Sequence, residues 1–406
     1  MRDTGLHPRV GTETRELWVE GETMRVNLGP QHPSTHGVLR LRTVIAGETV
    51  VSVEPVFGYL HTGIEKQAET LNWIQCVTDV TRADYLSPFH NETAFSLAVE
   101  RLAGVEAPER AQWLRVLMCE LNRITSHLVY LATTGLELGA ISMATYGFRD
   151  REHILDLYQA VTGLRMNHAY IRPGGVSMDL RPEHAQTIRE LVPYLRERFD
   201  EYDDLLRENP IWVHRNRGIG VLSAEDAIAL GVTGPILRAS GVAHDLRKKA
   251  SYLPYETFEF DVPVGTAGDC YDRYLVRIEE MRQSLRIVEQ VIEGLPEGPF
   301  RATGKLTPPA RDRLPVSMEA VIHHFKLFTD GPHVPAGEVY QPVEGPRGEL
   351  GVFIVSDGGG RPWRMHIRAP SLVNLGALEH IAPGHLLADL IAILASLDPV
   401  MGDVDR

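Results

Sequence analysis

Cysteine is scarce in this chain. Its 406 residues include three, Cys76, Cys119 and Cys270. They are far apart and form no C-x-x-C, which argues against a disulfide framework or a cysteine-based metal site and fits a reducing compartment. Long apolar runs are also missing. The most apolar stretch, HLLADLIAILASLDPV (385–400), is shorter than the ~20 residues of a membrane span and carries Asp389. The opening MRDTGLHPRVGTETRE has no apolar core of a signal peptide. A membrane role is therefore expected only through partners. No P-loop is present, and the DGGG at 357–360 opens no helix after a strand, so the chain is not expected to bind NAD or ATP itself. Basic residues are in deficit, 41 Lys and Arg against 54 Asp and Glu, for a net charge of −13. That balance argues against nucleic-acid binding and against adhesion to anionic lipid through a basic patch.

The remaining composition is that of an ordinary globular protein, 43% hydrophobic and 23% charged. Residues 1 to about 15 read as a mobile tail. From Leu17 to about Pro55 the pattern is strand-like, with a hairpin signal at Ala46-Gly47-Glu48. A helical body follows. Ser87-Pro88 caps and starts a helix ending near Gly104. Leu114, Leu117, Leu121, Ile124, Leu128 and Leu131 form a helical stripe, with Gly135 as its stop. Further helices are expected at 151–163, 181–210, 223–231, 272–295 and 317–331, with a Pro/Gly-rich loop at 296–315. Strand character returns near 338–370, and a last helix leads to the C-terminus. The chain reads as α+β, a helical bundle with β segments near both ends.

Several polar groups stand out. His32 and His36 lie four apart in LGPQHPSTHGVLRL (28–41), but Pro30, Pro33 and Gly37 break any helix that would put both rings on one metal. Two readings stand: a turn whose histidines satisfy nearby backbone, or a rigid loop that presents a proton donor. His323 and His324, adjacent on a helix, point about 100° apart and are expected to be partly exposed rather than joint ligands. Glu120, Arg123 and His127 form a polar ridge beside the leucine stripe, read as a solvated face or an internal ion pair. Glu137, placed just beyond that helix in GLELGA, is either a surface carboxylate or a buried one that must be paired or protonated.

Longer motifs identify a family. LGPQHPSTHGVLRL, GYLHTGIEK, TRADYLSPFHNE, ELNRITSHLV, MNHAYIRPGGV, ASGVAHDLRK, SMEAVIHHFK, RGELGVFIVSDG and SLDPVMGDVDR occur in order from about Trp18 to Arg406. Together they resemble the D-subunit (49-kilodalton) family of the proton-pumping NADH–quinone oxidoreductase, complex I. That family in turn resembles nickel–iron hydrogenase large subunits. The resemblance implies a hydrogenase-like fold: a β-rich segment at 16–60, then a helical core over 61–406 with a β insertion near 338–370. Hydrogenases hold their metals with two C-x-x-C motifs. Here Val400 and Asp403 stand at the C-terminal thiolate positions and no N-terminal C-x-x-C exists. The soft ligands are gone, so no metal is expected.

What the resemblance implies for chemistry is specific. The chain would be a peripheral subunit on the cytoplasmic side of the bacterial plasma membrane, inactive alone. It would pack against the B, C, H and I subunits, with an iron–sulfur cluster on the first of these. Quinone, menaquinone or ubiquinone, would be the substrate. Tyr85 would donate a hydrogen bond to one quinone carbonyl and His36 would approach the other. Glu137 stands where many relatives have an aspartate paired with this histidine, a pairing expected to raise the histidine pKa. Asn167 stands where many relatives carry a histidine near the cluster, and His168 is its neighbour. GAISMATYGF (139–148) departs from the usual run. Glu137 and Asn167 together resemble actinobacterial members, which mostly use menaquinone.

Overall fold

The computed structural model describes residues 23–406. The expected tail (1–15) and the first part of the expected N-terminal strand region lie outside the described residues. The described chain mixes helices with small sheets, the α+β class expected from the pattern.

The first sheet is antiparallel, Thr23–Leu28 against Arg40–Ala46 against Thr49–Val56. Ala46 pairs with Thr49 across Gly47-Glu48, and Gly47 takes φ 60°, the left-handed value a tight hairpin turn asks of glycine. Leu41, Ile45, Val50 and Val53 point inward. They pack on the C-terminal helices through Leu390, Ile393, Leu394 and Met401. Backbone bonds seal the contact, Leu387 N–H to Glu48 O at 2.8 Å and Gly384 N–H to Val50 O at 2.8 Å. Both ends of the described chain thus share one core.

The helix Glu109–Glu137 is the central element. Its six-residue leucine/isoleucine stripe is fully buried, each side chain contributing ~1.5–3 kcal/mol by leaving water. The helix lies against Ile141–Thr162 and Cys270–Gly294. Gly135 does not stop it. The helix runs two residues further because Gly135 serves packing instead: a Cβ there would meet the Met143 Cβ at 2.6 Å. The departure at 139–148 therefore supplies the packing partner of this glycine. The next helix also begins ten residues earlier than its apolar pattern suggested, at Ile141. Ser87 makes no side-chain cap to the helix Pro88–Ala103. Its hydroxyl donates to the Asp84 carboxylate.

The Glu120–Arg123–His127 ridge is not a solvated face. All three are fully buried, the internal ion-pair reading. Glu120 accepts from Tyr255 Oη (2.9 Å), Ser284 Oγ (2.6 Å) and Arg247 (3.0 Å). Burial alone would raise its pKa, but Arg123 and Arg247 reverse this and hold it down at about 2. His127 Nε2 lies 2.9 Å from Glu280, which also takes Arg238. Arg238 continues to Glu344 at 2.8 Å. The network ties the central helix to the Cys270–Gly294 helix and to the second sheet.

That second sheet, Gly337–Gly345, Gly348–Ser356 and Arg364–Arg368, is antiparallel and occupies the expected region. It packs on Pro88–Ala103 around Phe95, Val99, Val343, Val352 and Ile354. Its first hairpin turns at Pro346-Arg347, which delivers Arg347 to the interior. Among the described residues no helix is long and apolar enough to cross a membrane.

Candidate functional site

Three segments carry the expected site residues, and the charge of Arg347 acts on His36 and Tyr85, which lie on two of them. The first is the loop Gly29–Val38. Its Pro33–Thr35 turn is capped by His32, whose Nδ1 accepts from Ser34 N–H at 3.2 Å. His32 is thereby occupied as a capping group, the backbone-satisfying role. The turn ends on His36 at φ 49°, a left-handed conformation uncommon outside glycine but one that histidine adopts more often than most side chains. Thr35 Oγ1 donates to His32 O at 2.8 Å and holds that geometry.

The second segment is the end of the central helix. Glu137 is its last residue rather than a loop residue. Its Oε1 lies 3.8 Å from His36 Nε2, with both side chains about nine-tenths buried (10% and 8% exposed). At 3.8 Å the two are in contact without a hydrogen bond. His36 Nε2 and Glu137 Oε2 have no hydrogen-bond partner among the described residues.

The third segment is the turn Asp84–Ser87 with the C-terminal SLDPVMGDVDR. The Arg347 guanidinium donates to Asp84 Oδ2 (2.9 Å) and to Asp398 O (2.9 Å), and pairs with Asp398 Oδ2 (3.2 Å). Asp398 itself sits at φ 51°. Asp403 is buried and accepts from Ser371 N–H at 2.8 Å. Burial opposes the Arg347 charge, but Asp398, Asp84 and Asp403 outweigh it and keep its pKa above the usual value. Tyr85 adjoins this cluster. A Cβ on Gly402 would meet its ring at 2.9 Å, so glycine is required there. Burial raises the Tyr85 pKa, against the pull of Arg347, so it remains a phenol.

Charge in this site differs from the sequence expectation. A carboxylate partner was expected to raise the His36 pKa. Instead burial, then the positive Arg347, lowers it to about 4. Burial alone raises Glu137 to about 8. Both groups are therefore neutral near pH 7: the acidic proton rests on Glu137, and His36 is a free base beside it. Proton count is the same as for an ion pair. Its location is reversed, because desolvation penalises both charges and 3.8 Å gives too little attraction to compensate.

Exposed apolar side chains flank the same region. Leu136 and Ile141 adjoin Glu137, and Phe57, Tyr59 and Leu60 stand in a loop tied to the C-terminus. That tie is the Asp405 carboxylate, which accepts from Gly58 N–H (2.8 Å) and Leu60 N–H (2.6 Å). The arrangement combines proton donors and a buried cation beside apolar surface.

Asn167 and His168 lie on another segment. No hydrogen bond or ion pair among the described residues joins them to His36, Tyr85 or Glu137. Asn167 takes φ 53°, a conformation asparagine tolerates well. Glu92 fixes the segment by accepting the N–H groups of Ala169 (2.7 Å), Tyr170 (2.9 Å) and Ile171 (2.8 Å). His168 turns into this chain's own core. Its ring stacks on Phe89 with centroids 4.1 Å apart, and burial lowers its pKa to about 4.

Arg347 was missed at the sequence level, where 338–370 read as strand. A cation flanked by proline and glycine between two strands is a weak signal. The adjacent motifs supplied its partners, Asp84 in RADYL and Asp398 in SLDPV. Among the described residues no group of three or more His, Cys, Asp or Glu has an arrangement suited to a metal.

The raised Glu137 pKa sets a stability trend. Between about pH 4.5 and about pH 8 the folded chain holds a proton that the unfolded chain has lost, so this group's contribution falls as pH rises. Glu137→Gln removes that dependence. Its stability relative to the parent chain is expected to increase from about pH 5 to about pH 8 in denaturant unfolding. A pH-independent difference contradicts the assignment.

Known proteins agree on one family. The family described as "Respiratory-chain NADH dehydrogenase, 49 Kd subunit" matches residues 137–406. The chain is 56% identical over 400 residues to the D subunit of the NADH-quinone oxidoreductase of Acidothermus cellulolyticus, covering 94% of this chain and 91% of the relative. It is 54% identical to a D subunit of the same enzyme from Salinispora arenicola over 407 residues (96% and 92%). It is also 54% identical to the Nocardia farcinica D subunit over 404 residues (95% and 89%). With a family match over most of its length and near full-length relatives above half identity, the chain belongs to the 49 Kd (D) subunit family of the respiratory-chain NADH dehydrogenase, complex I.

Proposed function

We propose that this chain builds the quinone-reduction site of a proton-translocating NADH:quinone oxidoreductase, together with the B subunit of that enzyme. The observation that carries the reading is the buried His36–Glu137 contact, with the charge of Arg347 acting on both His36 and Tyr85. A quinone ring is apolar and takes up two electrons and two protons. The electrons come from the iron–sulfur cluster of the B subunit. The protons come from groups positioned where negative charge develops on the two carbonyl oxygens.

Tyr85, kept as a phenol, gives its proton to one carbonyl oxygen and regains one from solvent. His36 approaches the other and delivers a proton that it draws from Glu137. Transfer leaves a carboxylate at Glu137, buried and without a hydrogen-bond donor. That new charge is the local change we assign as the trigger for proton pumping. Arg347 stabilises negative charge nearby without giving up a proton. The hydrogenase relation fits the same picture. Asp403, which the resemblance puts at a former thiolate position, is buried within the field of the Arg347 guanidinium. On this reading the chain sits on the cytoplasmic side of the plasma membrane, held by the B, C, H and I subunits.

The rival reading is a scaffold with the chemistry elsewhere. Tyr85→Phe and His36→Ala are expected to remove most NADH-driven quinone reduction in membranes, by at least about tenfold. Both should spare NADH oxidation by a hydrophilic artificial acceptor, which draws electrons upstream. Normal quinone reduction in both variants would establish the scaffold.

The inward-facing His168 bears on the partner's cluster. With Asn167 untitratable and His168 neutral above about pH 4, neither residue can link electron uptake to proton uptake near neutrality. A redox titration of the cluster across neutral pH should therefore show a shallow slope. A slope near one proton per electron contradicts this.

A further inference from the structure

The helix Met318–Thr329 inverts the usual orientation of an amphipathic helix. Only Ala320 and Leu327 of its 12 residues are buried. At about 100° per residue these two share one azimuth. Met318, Val321, Ile322, Phe325 and Phe328 fall in an arc ~120° wide on the opposite side. All five are exposed, Phe325 to 67% and Met318 to 71%. An apolar face of this breadth, turned away from the chain's own core, marks an interaction site.

Charge beside this arc runs against the rest of the chain. The Pro/Gly-rich loop at 296–315 leaves two concave clefts, one of about 810 Å³ against the helix and one of about 1000 Å³ on its far side. Lys305, Arg311, Arg313 and Lys326 line them, opposed in the smaller cleft by Glu319 and Asp330, so the cationic excess is greatest in the larger one. None of these four makes an ion pair among the described residues. Asp179, an acid in the larger cleft, is already paired with Arg110 at 2.8 Å. In a chain of net charge −13, this is a local cationic surface next to an apolar one.

We propose that the Met318–Thr329 helix and the 296–315 loop dock a different polypeptide of the same oxidoreductase, through a segment of it that is apolar with carboxylates along one edge. The inference rests on membership of a multi-subunit enzyme, and not on where quinone is reduced. Three features select this occupant. The clefts are concave and take protruding side chains, whereas a bilayer surface is flat. The cations lie to one side of the arc, around the clefts, whereas a helix lying on anionic lipid carries them along both flanks. A second copy of this chain, docked by the same patch, would set cation against cation.

The test uses the assembled, membrane-bound enzyme with a photo-crosslinking amino acid in place of Phe325. The expected product joins this chain to one other polypeptide of the purified enzyme, at a peptide carrying Asp or Glu within a few residues of the attachment point. A product with a second copy of this chain, with lipid alone, or with nothing overturns the proposal. In parallel, Ile322→Asp combined with Phe325→Asp should lower the fraction of this chain found in the assembled enzyme at least tenfold on native gels. The melting temperature of the purified chain should not change, because the arc faces outward. Undiminished assembly overturns the proposal as well. Arg311→Glu with Arg313→Glu should weaken the same attachment, and an attachment left intact counts against the carboxylate edge. Failure of the quinone reading in the Tyr85→Phe membranes would leave the crosslink unmoved, so the two can fail separately.

Discussion

A guanidinium taken out of water organises this molecule's interior. Arg347 enters on a hairpin turn and is met by Asp84 from the turn before the Pro88–Ala103 helix and by Asp398 from the C-terminal segment. A buried cation without such partners would cost several kcal/mol. The pairing therefore requires three distant stretches of chain to converge. Tyr85 is placed because it follows Asp84. The C-terminal helix Met401–Asp405 is placed because it follows Asp398. The loop Phe57–Leu60 is placed in turn by the Asp405 carboxylate.

Burial governs the proton, and the same charge assists at His36. His36 is buried, and the positive field of Arg347 further disfavours an imidazolium. Glu137 is buried with no donor to stabilise a carboxylate. The pair then stores one proton on oxygen, next to a neutral base able to carry it onward. An ordinary ion pair at this position would hold its proton on nitrogen and neutralise itself. The left-handed His36 backbone, fixed by the Thr35 and His32 turn, keeps the ring facing Glu137.

Much of this was legible in the sequence, for physical reasons. The leucine stripe of the central helix announced itself through its period, and the glycine of the Ala46-Gly47-Glu48 hairpin through its turn chemistry. The family resemblance named His36, Tyr85 and Glu137, and the structure brings the first and third into contact. Other features were hidden. Gly135 looked like a helix stop because helix ends and close packing both call for glycine, and only the Met143 contact separates the two uses. For Glu120, Arg123 and His127 the pattern could not separate a solvated face from an internal ion pair, because burial of charge depends on partners more than 100 residues away, Arg247 and Glu280. The direction of the His36 shift follows from its burial, reinforced by Arg347, and no local pattern reveals either.

The central claim is that the site's proton rests on Glu137 beside a neutral His36 until quinone is reduced. Infrared difference spectroscopy of the intact enzyme at neutral pH, with Glu137→Gln as the reference, addresses it directly. The account predicts a protonated-carboxyl C=O band in the oxidised enzyme that belongs to Glu137 and is lost when quinone is reduced. A Glu137 carboxylate signal already present in the oxidised enzyme, with an imidazolium band beside it, would contradict it.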